Sequence, residues 1–385
     1  MKLSQLPPIA LALYLLTSMV SISASQIFLG LAFLLWIALV VRGKKTPEFP
    51  GFFWALLAYA LLTLISCIMS DNPAVSFHDS RSLLIFLIVP LVYSAFARET
   101  EIRLANLALL ASAFISLIYS FAYFLTIASP EERIAGFMGH YMTQAGLLVL
   151  VCALSLSMFA FTKDRLRFLW GLGFVLASAG SILTITRSAW IGILVVMVVV
   201  LLFYKPKTLI LVPVILLAVY FLSPQPVKRR AQSIFDTKVT TNKLRIEYIK
   251  AGVQIIKDYP FFGTGPNTVH VIFQQPKYGL SEEARDNVHL HNNFLQIAAE
   301  RGVLAMLVWV VFLIWVFLGL VKQLKNKDPA QRPLSAAALA ALLGMVVAGL
   351  FEYNFGDSEV VTLFLYLITL PFAWEHLSGK HVSDL

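Results

Sequence analysis

The sequence predicts an all-α integral membrane protein of about twelve transmembrane helices, and three observations lead there. Hydrophobic residues make up 59% of the 385-residue chain and charged residues only 13%, whereas soluble domains run near ~25% charged. Mean hydropathy is +0.80. Apolar stretches long enough to cross a hydrocarbon core of ~30 Å recur between short polar breaks, and they are continuous rather than alternating. Since only helices and closed barrels satisfy their backbone in lipid, continuous runs read as helices.

In chain order, the first two spans are expected at 7–22 and 26–41. Met1-Lys2, an apolar run and Ser23-Ala24-Ser25 imitate a cleaved signal peptide, but Ile27–Val41 follows at once, so a helical hairpin is the expectation. Spans follow at 52–69, 82–97, 104–127, 143–162, 167–185, 189–204 and 208–222, completing a first segment of 1–222. A long loop occupies 223–290, and 291–385 carries a motif helix and the spans 303–321, 334–351 and 360–375. No internal repeat or low-complexity tract is visible.

Orientation follows from the basic residues of the short loops. With the N-terminus inside, one side collects 16 Lys and Arg, including Lys2, Arg42, Lys44, Lys45, Lys327 and Lys380, and the short loops opposite hold only Arg81, Arg133 and Arg187. Both termini are therefore expected in the cytoplasm of a multi-pass inner-membrane protein. The remaining eleven basic residues lie in 223–290 or at Arg301. Long segments escape the positive-inside rule, so this loop can be exported while basic, and its charge calls for a bound anion or an anionic membrane surface.

Within the loop, Thr241 is the expected N-cap of a helix over about 242–258. Leu244, Tyr248, Ile249, Val253 and Ile256 would form its apolar stripe, and Asp258-Tyr259-Pro260 and Gly263-Thr264-Gly265-Pro266 would end it. The loop thus reads as a folded cap on the membrane segment.

Several functions are disfavoured. Cys67 and Cys152 lie far apart within apolar runs and read as packing residues, not as a disulfide or zinc site. The net charge of +9 is spread between loops without a basic–aromatic module, so no nucleic-acid partner is expected. No ionisable residue sits at an expected span centre, which argues against an ion-coupled transporter.

Attention moves to the loop side of the bilayer. Arg187 occupies a minimal turn, Thr186-Arg187-Ser188, where it is either an interfacial snorkelling arginine or an anion ligand. Arg245 lies in the first turn of the loop helix against the helix dipole, so it needs an acidic neighbour such as Glu247 or a bound anion. His289 and His291 could suggest a metal pair, but no Cys, Asp or third His has suitable spacing, and no metal or cofactor is expected. A histidine at a loop-to-helix junction suits a general base instead. Two further polar segments are the turn from Arg133 to Gly139-His140-Tyr141 and Glu352-Tyr353-Asn354-Phe355-Gly356-Asp357. Gly263-Thr264-Gly265 lacks the lysine and preceding strand of a phosphate loop.

His291-Asn292, nine residues and Gly302 resemble the motif of the O-antigen ligase, O-antigen polymerase and protein O-oligosaccharyltransferase superfamily. Ala305 departs from the small or Gly/Thr/Tyr position that follows the glycine in that motif. Thr186 to Trp190, the Arg245 helix, Pro260 to Gly265 and Gly136 to Tyr141 also resemble O-antigen ligase segments, in that family's order. The likeness covers roughly 130–360.

The resemblance implies a twelve-span glycosyltransferase of the GT-C type, working without metal at the periplasmic face. Its donor would be an undecaprenyl-pyrophosphate-linked polysaccharide and its acceptor lipid A–core oligosaccharide, both held in membrane lipid. Carried over residue by residue, His291 would be the base, Arg187 and Arg245 would stabilise the pyrophosphate, Asn292 would orient the motif, and Gly302 would allow close helix packing. Arg133, His140, Tyr141, Glu352 and Asp357 carry over only as substrate-binding positions. An O-antigen polymerase shares donor and motif, but polymerases usually show two sizeable outer loops and this sequence has one. A protein-glycosylating relative and a lipid-linked sugar flippase are the other readings.

Overall fold

The computed structural model describes residues 3–127, 129, 132–234, 236, 239–325 and 328–383. Lys2, Lys238 and Lys327, all among the basic residues counted above, lie outside the described residues, as does the Lys380 side chain. The described residues are 79% helical and form no strand.

Helices α1 (Leu6–Thr17), α2 (Ile22–Val41) and α3 (Phe53–Met69) lead to a broken segment of α4 (Pro73–Asp79), a 3-10 stretch Ser80–Leu87 and α5 (Ile88–Ala95). Next come α6 (Glu99–Thr126), α7 (Tyr141–Phe161), α8 (Arg167–Leu183), α9 (Arg187–Tyr204) and α10 (Leu211–Leu222). Four shorter helices follow: α11 (Gln225–Gln232), α12 (Thr240–Asp258), α13 (Val269–Ile272) and α14 (Glu282–Arg285). The chain ends with α15 (Asn293–Lys325), α16 (Arg332–Ala348) and α17 (Ser358–Ser383).

Seven helical segments among the described residues are long and apolar enough to cross a membrane, and five shorter apolar helices accompany them. Each expected span falls on one of these segments, as a multi-pass membrane protein requires. The span expected at 82–97 is not one continuous α-helix. Pro90 has no N–H to offer Phe86, and the preceding turns wind as the tighter 3-10 form.

The interior gathers around α7, α9, α16 and α17. Small residues let the backbones approach, as they do between membrane helices generally. A Cβ on Gly344 would stand 3.2 Å from the Gly192 carbonyl oxygen, so α9 and α16 touch backbone to backbone. Helix α10 is peripheral, with Val212 its one buried residue. Cys67 and Cys152 are both free and buried.

The loop has a second, smaller core of its own, in which Tyr248, Ala251, Ile255, Ile272, Phe273, Tyr278 and Leu290 pack together with Ala299 of α15. Of the expected stripe on α12, Tyr248 belongs to this core and Leu244 and Ile256 pack against it, but two residues do not. Ile249 and Val253 are about half exposed, while Tyr248, Ala251 and Ile255 face inward. The inward spacing keeps helical period but admits a small alanine, which an argument from large apolar residues passes over. Thr241 is not the N-cap either; Val239 holds that position, without a side-chain cap.

Residues 260–265 splice the loop onto α15. Gly302, at φ +84° and ψ 162°, breaks the helix and leaves the Ala299 and Glu300 carbonyls without helical partners. Thr264 N–H donates to Ala299 O (2.9 Å), Gly265 N–H to Glu300 O (2.8 Å) and Val303 N–H to Pro260 O (2.9 Å). The Gly-Thr-Gly sequence is therefore a docking seam in which backbone groups satisfy one another. Gly302 serves the close packing expected of it, but against the Phe261 backbone: a Cβ would stand 1.9 Å from Phe261 O.

Candidate active site

At the loop end of the bundle, side chains from α7, α9, α11, α12, the 287–291 turn and the 349–357 turn enclose a cavity of about 390 Å³. Its wall includes Arg133, His140, Tyr141, Arg187, Arg245, His291 and Glu352, which the sequence disperses over 220 positions.

His291 holds φ +50°, a left-handed conformation that costs a side-chain-bearing residue roughly 1–2 kcal/mol. Leu290 N–H donates to Gln296 Oε1 (2.7 Å), fixing the turn just before it. Both Glu352 oxygens lie 3.1 Å from His291 Nδ1, and Asn287 Nδ2 lies 2.7 Å from Nε2. One tautomer satisfies both sides. Nδ1–H donates to the carboxylate, and Nε2 is left as the basic nitrogen, accepting from the Asn287 amide. Asn287 Nδ2 also donates to Tyr248 Oη (3.1 Å), which ties the imidazole to the core of the loop.

Glu352 also meets His289, whose Nε2 is 3.5 Å from Oε1. Burial of Glu352 opposes ionisation, but the His291 hydrogen bond, the two histidines and the Tyr353 N–H together hold its carboxyl below the usual range. Burial also lowers the His289 pKa, against the pull of Glu352. Spacing along the chain offers His289 and His291 no Cys, Asp or third His, but folding brings a glutamate to them. One ligand atom each of His289, His291 and Glu352 lies within 4.8 Å of the others, so these residues could hold a metal ion. Glu352 lies 61 positions beyond His291 in sequence, and only folding brings it there.

Opposite this group stand four arginines. Arg187 is buried, 6% exposed, so it does not snorkel. Its guanidinium donates to Ser233 O (3.2 Å), Thr241 Oγ1 (3.3 Å) and Asn242 Oδ1 (2.7 Å), binding α9 to the start of α12. Arg245 donates to Phe351 O (2.9 Å), and Glu247, its proposed neighbour, instead accepts from Ser281. Arg133 donates to Ile185 O (2.6 Å) and lies 3.9 Å over the Tyr141 ring. Arg230 completes the set; its buried Nε has no partner among the described residues. Burial and mutual repulsion lower the pKa values of Arg230 and Arg245, although Glu352 partly offsets this at Arg245. Among the described residues none of the four pairs with a carboxylate, an arrangement that stores positive potential for an anion.

Residues 172–310 match the O-antigen ligase family model.

The matched segment takes in Arg187, Arg230, Arg245, Asn287 and the His291 motif through Gly302. Arg133, His140, Tyr141, Glu352 and Asp357 lie outside the matched segment. The match agrees with the resemblance drawn from the His291 motif. No curated protein matches the chain significantly.

Two expected site residues face away from the arginine cavity. Asn292 caps α15, accepting from Leu295 N–H and donating to Leu350 O (both 3.0 Å). Its buried neighbour Asn293 fastens the same turn through Asn354 (2.6 Å) and Phe355 N–H (3.1 Å). Asp357 accepts from Thr143 and lines an adjoining cavity. The sequence reading left out Arg230, Asn287, Tyr248 and His289 as site residues. The Lys228-Arg229-Arg230 run was the available signal for the first; Tyr248 lies on α12, and Asn287 and His289 lie in a turn whose shape has no local signature.

Proposed function

We propose that this protein is an O-antigen ligase: a metal-independent, inverting glycosyltransferase of the GT-C type with twelve spans, both termini cytoplasmic and the site facing the periplasm. It would move polysaccharide from undecaprenyl pyrophosphate to a hydroxyl of lipid A–core oligosaccharide. The observation that carries this reading is one cavity with a His291–Glu352 pair on one side and Arg133, Arg187, Arg230 and Arg245 on the other.

The reaction has two electrostatic demands, and this arrangement meets each with a separate group. As the anomeric C–O bond breaks, negative charge grows on the departing pyrophosphate. Arginine forks match phosphate oxygens, and each charge-assisted bond contributes about 1.5–3 kcal/mol. Prepaid desolvation of the arginines makes them more effective toward an anion that arrives in the site. The acceptor hydroxyl must lose its proton as its oxygen attacks. His291 Nε2 would take it, displacing the Asn287 amide, while Glu352 stabilises the resulting imidazolium. Attack opposite the leaving group inverts the anomeric centre, and undecaprenyl pyrophosphate departs.

The test is reconstitution of purified protein with lipid-linked polysaccharide and lipid A–core in EDTA. Ligated product with inverted linkage is expected. Joining of repeat units to one another without transfer to the core would instead identify a polymerase.

A further inference from the structure

A second cavity, of about 460 Å³, adjoins the first. The two share His140, Met142, Val288, His289 and Glu352, so the His289–Glu352 contact stands in the wall between them. Their charges are opposite. The first is lined by four arginines, and the second by Asp79, Glu300, Asp357 and a single arginine, Arg301. Arg301 is already engaged: Nη1 lies 2.7 Å from Glu300 Oε2 and Nη2 lies 3.7 Å from Asp79 Oδ2. Carboxylates outnumber this one arginine, which disfavours a phosphate even though Arg301 Nε has no partner among the described residues.

What the second cavity offers is hydrogen-bond acceptors, amides and aromatic faces. Asp79 keeps 36% of its side chain exposed, Gln296 and Asn267 contribute amides, and Tyr353 and Phe86 contribute rings. Carboxylates and amides bond hydroxyl groups, and ring faces cover the C–H faces of a pyranose. Such a lining suits a neutral, hydroxyl-rich molecule.

Resting on the glycosyl-transfer reading, we infer that this second cavity is the acceptor subsite. It binds the sugar whose hydroxyl is glycosylated and presents that hydroxyl past the His289–Glu352 wall toward His291, while the donor pyrophosphate lies on the arginines. The His289 and His291 rings are 4.3 Å apart, so a hydroxyl passing the first reaches the second. Separate subsites of opposite charge also keep a pyrophosphate-bearing molecule out of the acceptor position.

Ser82 provides the test. It is exposed, lines only the second cavity of the two, and among the described residues bonds only its own turn, at Asp79 O. Ser82→Trp would fill the space without altering charge, and Asp79→Asn would remove an acceptor without altering size. Delipidated core oligosaccharide and inorganic pyrophosphate would each be titrated calorimetrically into the full-length protein. Both variants should weaken oligosaccharide binding about tenfold or more and leave pyrophosphate affinity at the wild-type value. Arg187→Ala should do the reverse. Unchanged oligosaccharide affinity in both cavity variants, or competition between oligosaccharide and pyrophosphate for one site, would overturn the assignment. If both ligands bind separately but no glycan is transferred, the subsite stands and the ligase reading fails.

Discussion

Glu352 accepts from His291 through a carboxylate that both of its oxygens share, at 3.1 Å from Nδ1, and the same carboxylate meets His289 at 3.5 Å. One buried anion thereby sets the tautomer of the candidate base. His291→Ala is expected to lower turnover by about 10²–10⁴-fold, the usual contribution of a general base, with pyrophosphate affinity near wild type. Glu352→Gln should reproduce much of that loss, because a neutral amide no longer stabilises the imidazolium. Single-turnover rates with donor in excess would separate these effects from binding; a wild-type rate in His291→Ala removes the base assignment.

The arginines should act on binding. Removing one charge-assisted partner costs about 1.5–3 kcal/mol, or roughly 10–150-fold in pyrophosphate affinity, for Arg245→Ala and for Arg230→Ala. Lysine at either position keeps the charge but loses the fork and should recover only part of the affinity. Calorimetry with inorganic pyrophosphate reads this directly, and wild-type affinity in all four variants would mean that the cavity does not bind the donor there.

Turnover should be unchanged in excess EDTA. The His289, His291 and Glu352 ligand atoms are close enough to trap Zn²⁺, which would occupy the imidazoles and inhibit. Rates measured across an EDTA-to-Zn²⁺ series check both halves, and stimulation by metal would contradict the mechanism.

Burial pushes the Asp357 carboxyl up to about 6, with Glu359 adding to the rise and Thr143 opposing it. A raised folded-state value means that the folded protein holds this proton more tightly than the unfolded chain. Stability from Asp357 is therefore greatest below its ordinary value of 3.8 and falls as pH rises toward 6. Asp357→Asn should flatten that part of the profile and raise the melting temperature at pH 7. Thermal unfolding in detergent between pH 4 and 8 measures it; an unchanged slope would mean that the carboxyl titrates normally.

Gly302→Ala should be severe. A methyl group there would collide with Phe261 O at a residue already at φ +84°, so a loss of about 3 kcal/mol or more is expected. Limited proteolysis within 260–265 would detect release of the seam. Ala305→Gly, on the same helix without that contact, provides the comparison and should cost only about 1 kcal/mol.

The membrane helices were legible because lipid imposes a long, continuous apolar run that no local signal contradicts. Within the span expected at 82–97, the turns before Pro90 wind as a 3-10 stretch, which the apolar run alone does not show. On α12 the period was right and the face turned by part of its width: Leu244, Tyr248 and Ile256 do meet the loop core, but Ala251 and Gly252 take the burial expected of Ile249 and Val253, without hydrophobic bulk. Arg187 and Arg245 were singled out by a mismatch, each being a cation where neither topology nor the helix dipole explains one.

By itself the sequence determined an all-helical membrane architecture, one long basic loop and a histidine motif preceding a helix, because each depends on composition or on spacing along the chain. Only the tertiary structure decided that Glu352 holds His291, that Arg230 joins the other arginines, and that the Gly-Thr-Gly segment closes the break at Gly302. Those contacts join residues tens of positions apart. They depend on where helices cross and how a loop folds back, and neither leaves a period in the sequence.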